Sequence, residues 1–205
     1  MVQTVTLIIA TLTLFSNIGI IVFLLLLGIE KVTRSSFLSP LKLILNSYSY
    51  IFMFIITLTA TLGSLFYSEI AKLTPCVLCW YQRIMMYPQP LLLYVGIARN
   101  ERVLKPYLLT LNIIGFSIAL YHYTLQRFPE QLLSPCSVVG ASTSCIKGYT
   151  FSFGYISIPF MALTAFALNI LLLIYSTSTV TKEKAVAADQ QNDRTRNVKQ
   201  KKGRR

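Results

Sequence analysis

Five apolar runs, at Val5–Ile29, Leu43–Tyr67, Ile84–Ile97, Tyr107–Leu125 and Tyr155–Tyr175, leave this chain little choice of architecture. A helix that crosses a bilayer needs about 20 mostly apolar residues, and four of the runs meet that length. The third run carries Pro88 and Pro90 and is long enough only if Trp80 and Tyr81 form its interfacial end. Proline is tolerated in such a helix when neighbouring groups take up the freed backbone carbonyls. With 54% hydrophobic and 13% charged residues and a mean hydropathy of +0.60, an ordinary soluble domain is excluded. The chain is expected to be all-α, a polytopic bundle of five spanning helices.

Charge orients the bundle. Lys31, Arg34 and Lys42 follow the first run, and Arg99, Arg102 and Lys105 follow the third. Nine more basic residues, from Lys182 to Arg205, lie in the tail, whereas only Lys72, Arg83, Arg127 and Lys147 occupy the other two connections. Basic residues concentrate on the cytoplasmic side, so the N-terminus and those two connections face outward and the C-terminus faces the cytoplasm. The first run has no basic segment before it and no small-residue cleavage site before Lys31, so it reads as an uncleaved span rather than a signal peptide. The net charge of +12 is concentrated in the tail, where 185–205 has no aromatic residue. That segment reads as a disordered cytoplasmic tail that anchors topology and attracts anionic lipid; nucleic-acid binding is not expected.

All four cysteines fall in the two outward connections, on an oxidising side where disulfides form and persist. Thr74-Pro75 before Cys76 reads as an N-cap followed by proline at the first helical position. Cys76 and Cys79, separated by Val77 and Leu78, would then occupy the first turns of the third span, with Arg83 one turn further on. The helix dipole and a neighbouring guanidinium both favour a thiolate, the species that attacks and leaves in disulfide exchange. The competing readings are a structural disulfide and half of a zinc site. The eight residues between Cys136 and Cys145 are unlike the short spacing of a zinc knuckle. Those residues are small and polar, so the second pair can close a loop that adds stability or form an exposed disulfide that exchanges readily. His122, the only histidine, falls near the outer end of the fourth span. It reads either as an interfacial residue or, with Arg83, as part of a polar pocket near Cys79.

Pro75-Cys76-Val77-Leu78-Cys79-Trp80-Tyr81-Gln82-Arg83 resembles the signature of the DsbB/BdbC disulfide-formation proteins, and His122-Tyr-Thr-Leu-Gln126 resembles their segment with a quinone-proximal histidine. The resemblance implies a four-helix core at 41–176, an extra N-terminal helix at 1–40 and a tail at 177–205. It implies a membrane thiol:quinone oxidoreductase of the bacterial cytoplasmic membrane, with redox disulfides Cys76–Cys79 and Cys136–Cys145. Arg83 and His122 would face ubiquinone or menaquinone, and no metal is expected. A thioredoxin-fold dithiol protein of the DsbA/BdbD type would be the partner, attacking Cys136. Gln82 stands where a glutamate is common, and the Cys136–Cys145 spacing is closer to BdbC-like members. Two other readings stay open: a vitamin K epoxide reductase-like enzyme, whose motif usually comes later in the chain, and a membrane scaffold with two structural disulfides.

The charge split predicts that a membrane-impermeant thiol reagent reaches the segments around Cys76 and Cys136 from outside, while a reporter fused after Arg205 stays in the cytoplasm. Labelling of the tail from the outer face would reverse the orientation.

Overall fold

The computed structural model describes residues 2–33, 37–99, 104–128, 145 and 152–176. Its helices are α1 (Val2–Thr33), α2 (Ser39–Leu65), α3 (Val77–Met86), α4 (Pro88–Ala98), α5 (Lys105–Arg127) and α6 (Ile158–Tyr175). The only β pairing among the described residues is an isolated bridge between Ser152 and Ile156, closed over a turn in which Phe153 and Gly154 adopt positive φ. The fold is therefore all-helical. Prolines sit in the first positions of α2, α4, α5 and α6, where a missing N–H costs nothing.

Among the described residues, four helices are long and apolar enough to cross a membrane: α1, α2 with its continuation to Ile70, α5 and α6. The expected third span is built from α3 and α4 in series. Tyr87 between them keeps helical dihedrals, φ −62° and ψ −36°, so the two helices run on for about 33 Å at about 1.5 Å per residue. Pro88 and Pro90 account for the break, since each removes a backbone donor and crowds the preceding turn. Gln89 turns back to donate from Nε2 to the Met85 carbonyl at 2.9 Å. The same side chain accepts from Asn112 Nδ2 on α5 at 2.9 Å and from Asn169 Nδ2 on α6 at 3.5 Å. All three amides are fully buried, so a polar knot ties α4, α5 and α6 together where water cannot compete.

Apolar packing surrounds that knot. Met53, Leu93, Leu108, Leu172 and Leu173 form one buried cluster across α2, α4, α5 and α6. Gly115 on α5 lets Phe166 of α6 come so close that a Cβ there would lie 2.3 Å from the ring. On α1 the pattern is inverted relative to a soluble helix: its buried residues are Thr6, Ala10 and Thr13, whereas Leu7, Phe15 and Leu25 are exposed. That is the arrangement of a helix with lipid on its broad face and a narrow stripe of small residues against protein. The chain is thus a multi-pass membrane protein. The basic tail and Cys136, with most of the second outward connection, lie outside the described residues.

The 2.3 Å approach at Gly115 makes Gly115→Ala a test of α5–α6 packing. Overpacking of a rigid ring should cost about 1–3 kcal/mol, read as a lower thermal midpoint in detergent. A midpoint equal to that of the unaltered protein would show that Phe166 has room to move.

Candidate functional site

α3 begins two residues later than the Thr74-Pro75 signal implies. Cys76 is its N-cap, with an extended backbone (φ −75°, ψ 171°), and its carbonyl accepts from Trp80 N–H at 3.1 Å. Tertiary packing accounts for the shift. Cys76 is buried in a cluster with Leu78, Leu125 and Cys145.

Cys76 and Cys79 are free thiols with their Sγ atoms 3.2 Å apart, a hydrogen-bonded dithiol. His122 on α5 is almost fully buried. Its Nε2 lies 3.7 Å from Cys76 Sγ, and its Nδ1 lies 3.0 Å from Gln82 Nε2. An amide NH2 only donates, so with this orientation of Gln82 the imidazole accepts at Nδ1 and carries its proton on Nε2, facing Cys76. A thiol S–H can donate either way; with an N–H already directed at Cys76, the shared proton belongs on Cys79. Cys76, which precedes the span, is accordingly held far below the ordinary thiol value, at about 4. The hydrogen bond from Cys79 is the largest cause, burial opposes it, and the bond from His122 adds to it. In this dithiol the acceptor is Cys76.

Arg83 is fixed from α2. Its Nε–H donates to Ser64 Oγ at 2.9 Å and an Nη2–H to the Ser64 carbonyl at 3.0 Å, while Tyr87 O–H donates to the same Oγ at 3.3 Å. The guanidinium also stacks 5.4 Å from the Trp80 ring centre. It therefore does more than snorkel outward. Two of five donors are spoken for, and Arg83 lines a cavity of about 360 Å³ together with Cys79, Gln82, Met86, Tyr87 and mainly apolar residues of α1, α2 and α6. His122 and Cys76 are not among its lining residues, so His122 faces the thiol pair rather than the cavity.

Cys145 is disulfide-bonded and, unlike the exposed bond expected from the polar loop, is 1% exposed. It packs with Cys76 and Leu125. Its expected partner Cys136 lies outside the described residues. Cys76, Cys79 and His122 place three potential metal ligands within 4.8 Å. Tetrahedral zinc with Zn–S bonds of about 2.3 Å would hold two sulfurs about 3.8 Å apart, wider than the 3.2 Å observed; hydrogen bonding accounts for the spacing.

Comparison with known proteins places this geometry. Residues 46–176 match the family described as "Disulfide bond formation protein DsbB". The chain belongs to the DsbB family. It is 42% identical over 120 residues to "Disulfide bond formation protein C" of Bacillus subtilis, covering 58% of this chain and 85% of that protein. It is 37% identical over 139 residues to "Probable disulfide formation protein C 2" of Bacillus cereus, covering 68% of this chain and 98% of that protein. "Probable disulfide formation protein C" of Halalkalibacterium halodurans is 42% identical over 111 residues, or 54% of this chain and 80% of its own. No solved structure matches significantly. Within this DsbB-family site, sequence reasoning missed Ser64 and gave Gln82 no role. Ser64 carries no motif, and only Gln82 beside the signature arginine could have signalled its position.

Because the Cys76 pKa is lowered, its thiolate should persist as pH falls and be lost only near pH 4. Alkylation of the reduced protein, mapped by mass spectrometry against pH, should show that midpoint for Cys76 rather than the ordinary value of about 8.5. His122→Ala should move the midpoint upward. An unmoved midpoint would show that the imidazole does not reach the sulfur.

Proposed function

We propose that this DsbB-family protein is a membrane thiol oxidase that reoxidises an extracytoplasmic dithiol partner and discharges the electrons to membrane quinone. One observation carries the reading: the Cys76/Cys79 pair stands between a buried disulfide cysteine and a cavity. Cys76 shares its cluster with Cys145, while Cys79 lines the cavity with Arg83.

The residues divide the work accordingly. A thiolate of a reduced thioredoxin-fold partner, of the DsbA/BdbD type, attacks Cys136, and Cys145 leaves as a thiolate. The partner's second thiol then resolves the mixed disulfide, and the partner departs oxidised. Cys145 attacks Cys76 of a Cys76–Cys79 disulfide, Cys79 leaves as a thiolate, and Cys136 closes on Cys145. Two electrons have then moved from the partner to Cys76 and Cys79. The dithiol at 3.2 Å, with Cys145 disulfide-bonded, corresponds to this stage.

The cavity fits a quinone ring by its donor set: apolar walls, one cationic group with donors to spare, and a thiol at the edge. When bound, a quinone supplies a sink for two electrons and two protons. Arg83 would orient it and favour negative charge beside Cys79, while His122 holds the Cys76 proton balance through Nε2–H. Gln82 keeps that tautomer. The planar fork of Arg83 matters as well as its charge, because Ser64 already fixes its orientation.

The deciding experiment is reduction of a soluble quinone analogue by the purified chain in the presence of a reduced thioredoxin-fold dithiol protein, followed by quinone absorbance. A partner lacking its second cysteine should be trapped as a mixed disulfide through Cys136, because the resolving thiol is gone; an adduct through Cys76 or Cys79 would reverse the order of exchange. Arg83→Ala should weaken the apparent quinone affinity about tenfold, equivalent to about 1.4 kcal/mol, with Arg83→Lys recovering part. Unchanged quinone dependence in Arg83→Ala would leave the arginine as an interfacial anchor only.

A further inference from the structure

The family match begins at Asn46, so α1, Val2–Thr33, lies wholly outside it, yet α1 does not stand apart from the site. Ile9, Leu12, Thr13 and Ser16 line the cavity that also holds Cys79 and Arg83. We infer that α1 is a working wall of the quinone pocket, closing toward lipid a cavity that the family core alone leaves open and setting which quinone ring it admits. This rests on the quinone reading above and deepens it.

Three independent contacts hold the wall in place. Ile9 Cδ1 lies 3.3 Å from where a Cβ on Gly63 of α2 would stand. That is a close approach, and Gly63 is next to Ser64, which anchors Arg83. Asn17 Oδ1 accepts from Thr164 Oγ1 of α6 at 3.3 Å. Further along, Phe23 and Tyr175 meet edge to face with ring centres 5.1 Å apart. The residues that α1 turns inward, Thr6, Ile9, Ala10, Thr13, Ser16 and Asn17, recur at three- and four-residue intervals, which makes one face of a helix. That face is small and polar where the outer face is large and apolar.

A helix serving only as an anchor needs no such stripe, because lipid is as good a neighbour as protein for an apolar face. Nor would an anchor's inner face have to leave space. Here the space is left at Leu12, Thr13 and Ser16, in the cavity that also holds the redox thiol Cys79. The occupant to which this commits is the ring of a lipid-soluble quinone, entering between α1 and the core with its tail in the bilayer.

The test is photolabelling of the full-length protein in membranes with a short-chain azido-quinone, with and without excess decylubiquinone, and peptide mapping by mass spectrometry. Competable label on the α1 peptide spanning Ile9–Ser16, together with label on the core helices, is the expected result. Competable label confined to the core helices would overturn the α1 wall and leave the quinone reading standing. Absence of competable label anywhere would overturn the quinone reading of the cavity itself. A second arm measures affinity from the concentration dependence of competition. Ser16→Phe, which fills the pocket from α1, should weaken it about tenfold, whereas Phe15→Trp on the exposed face of the same helix should leave it unchanged. Equal affinities for both variants and the unaltered protein would also overturn the wall. A Ser16→Phe protein that fails to insert leaves the label map to decide.

Discussion

Inside a bilayer, a polar side chain without a partner costs several kcal/mol, and the polar ties between the helices of this protein meet part of that demand, although Asn17 Nδ2, Asn112 Oδ1 and Asn169 Oδ1 are buried without a partner among the described residues. Arg83 of α3 is met by Ser64 of α2. Gln82 of α3 is met by His122 of α5. Gln89 of α4 gathers Asn112 of α5 and Asn169 of α6, and Asn17 of α1 takes the hydroxyl of Thr164. Each tie pins a pair of helices at one height and one rotation. Apolar packing alone would not, since a leucine facing another helix differs little from one facing lipid.

The redox pair inherits its properties from these ties. The Gln82 contact orders the His122 ring, and the ordered ring directs its N–H at Cys76, which biases the shared proton toward Cys79. Burial alone would push a thiol toward its neutral form; two hydrogen bonds to the same sulfur reverse the outcome. On the other side, Ser64 holds Arg83 against the cavity wall. The two thiols therefore differ in surroundings although they are one helical turn apart. One faces a buried disulfide cysteine and the other faces an apolar cavity with a cation at its edge. In the proposed mechanism that asymmetry gives the relay its direction.

The third apolar run, where neither helix alone is long enough to cross a membrane, shows how prolines divide a helical segment. Pro88 and Pro90 make the run look too short, and the chain answers by dividing it into α3 and α4 while keeping helical backbone at Tyr87. The Gln89 side chain donates to the Met85 carbonyl, beside the turn that the prolines weaken. The divided helix places Gln82, Arg83, Tyr87 and Gln89 in the bundle from one segment of chain, which is why α3 and α4 carry so many of the polar ties.

Run length and hydropathy determined an all-helical, multi-pass chain, because the bilayer admits few other solutions for such segments. The Cys76–Arg83 motif likewise carried the family and the location of the chemistry, since thiols and a nearby guanidinium are recognisable by type and spacing. Tertiary structure decided what spacing does not encode. It moved the helix start from Pro75 to Val77, turned His122 toward Cys76 instead of the cavity, recruited Ser64 to Arg83 and brought the first helix into the pocket wall. Each depends on which helices touch and how they are rotated. That in turn depends on small and polar residues such as Gly63, Ser64, Gly115 and Asn169, whose meaning appears only when their partners from distant parts of the chain stand opposite them.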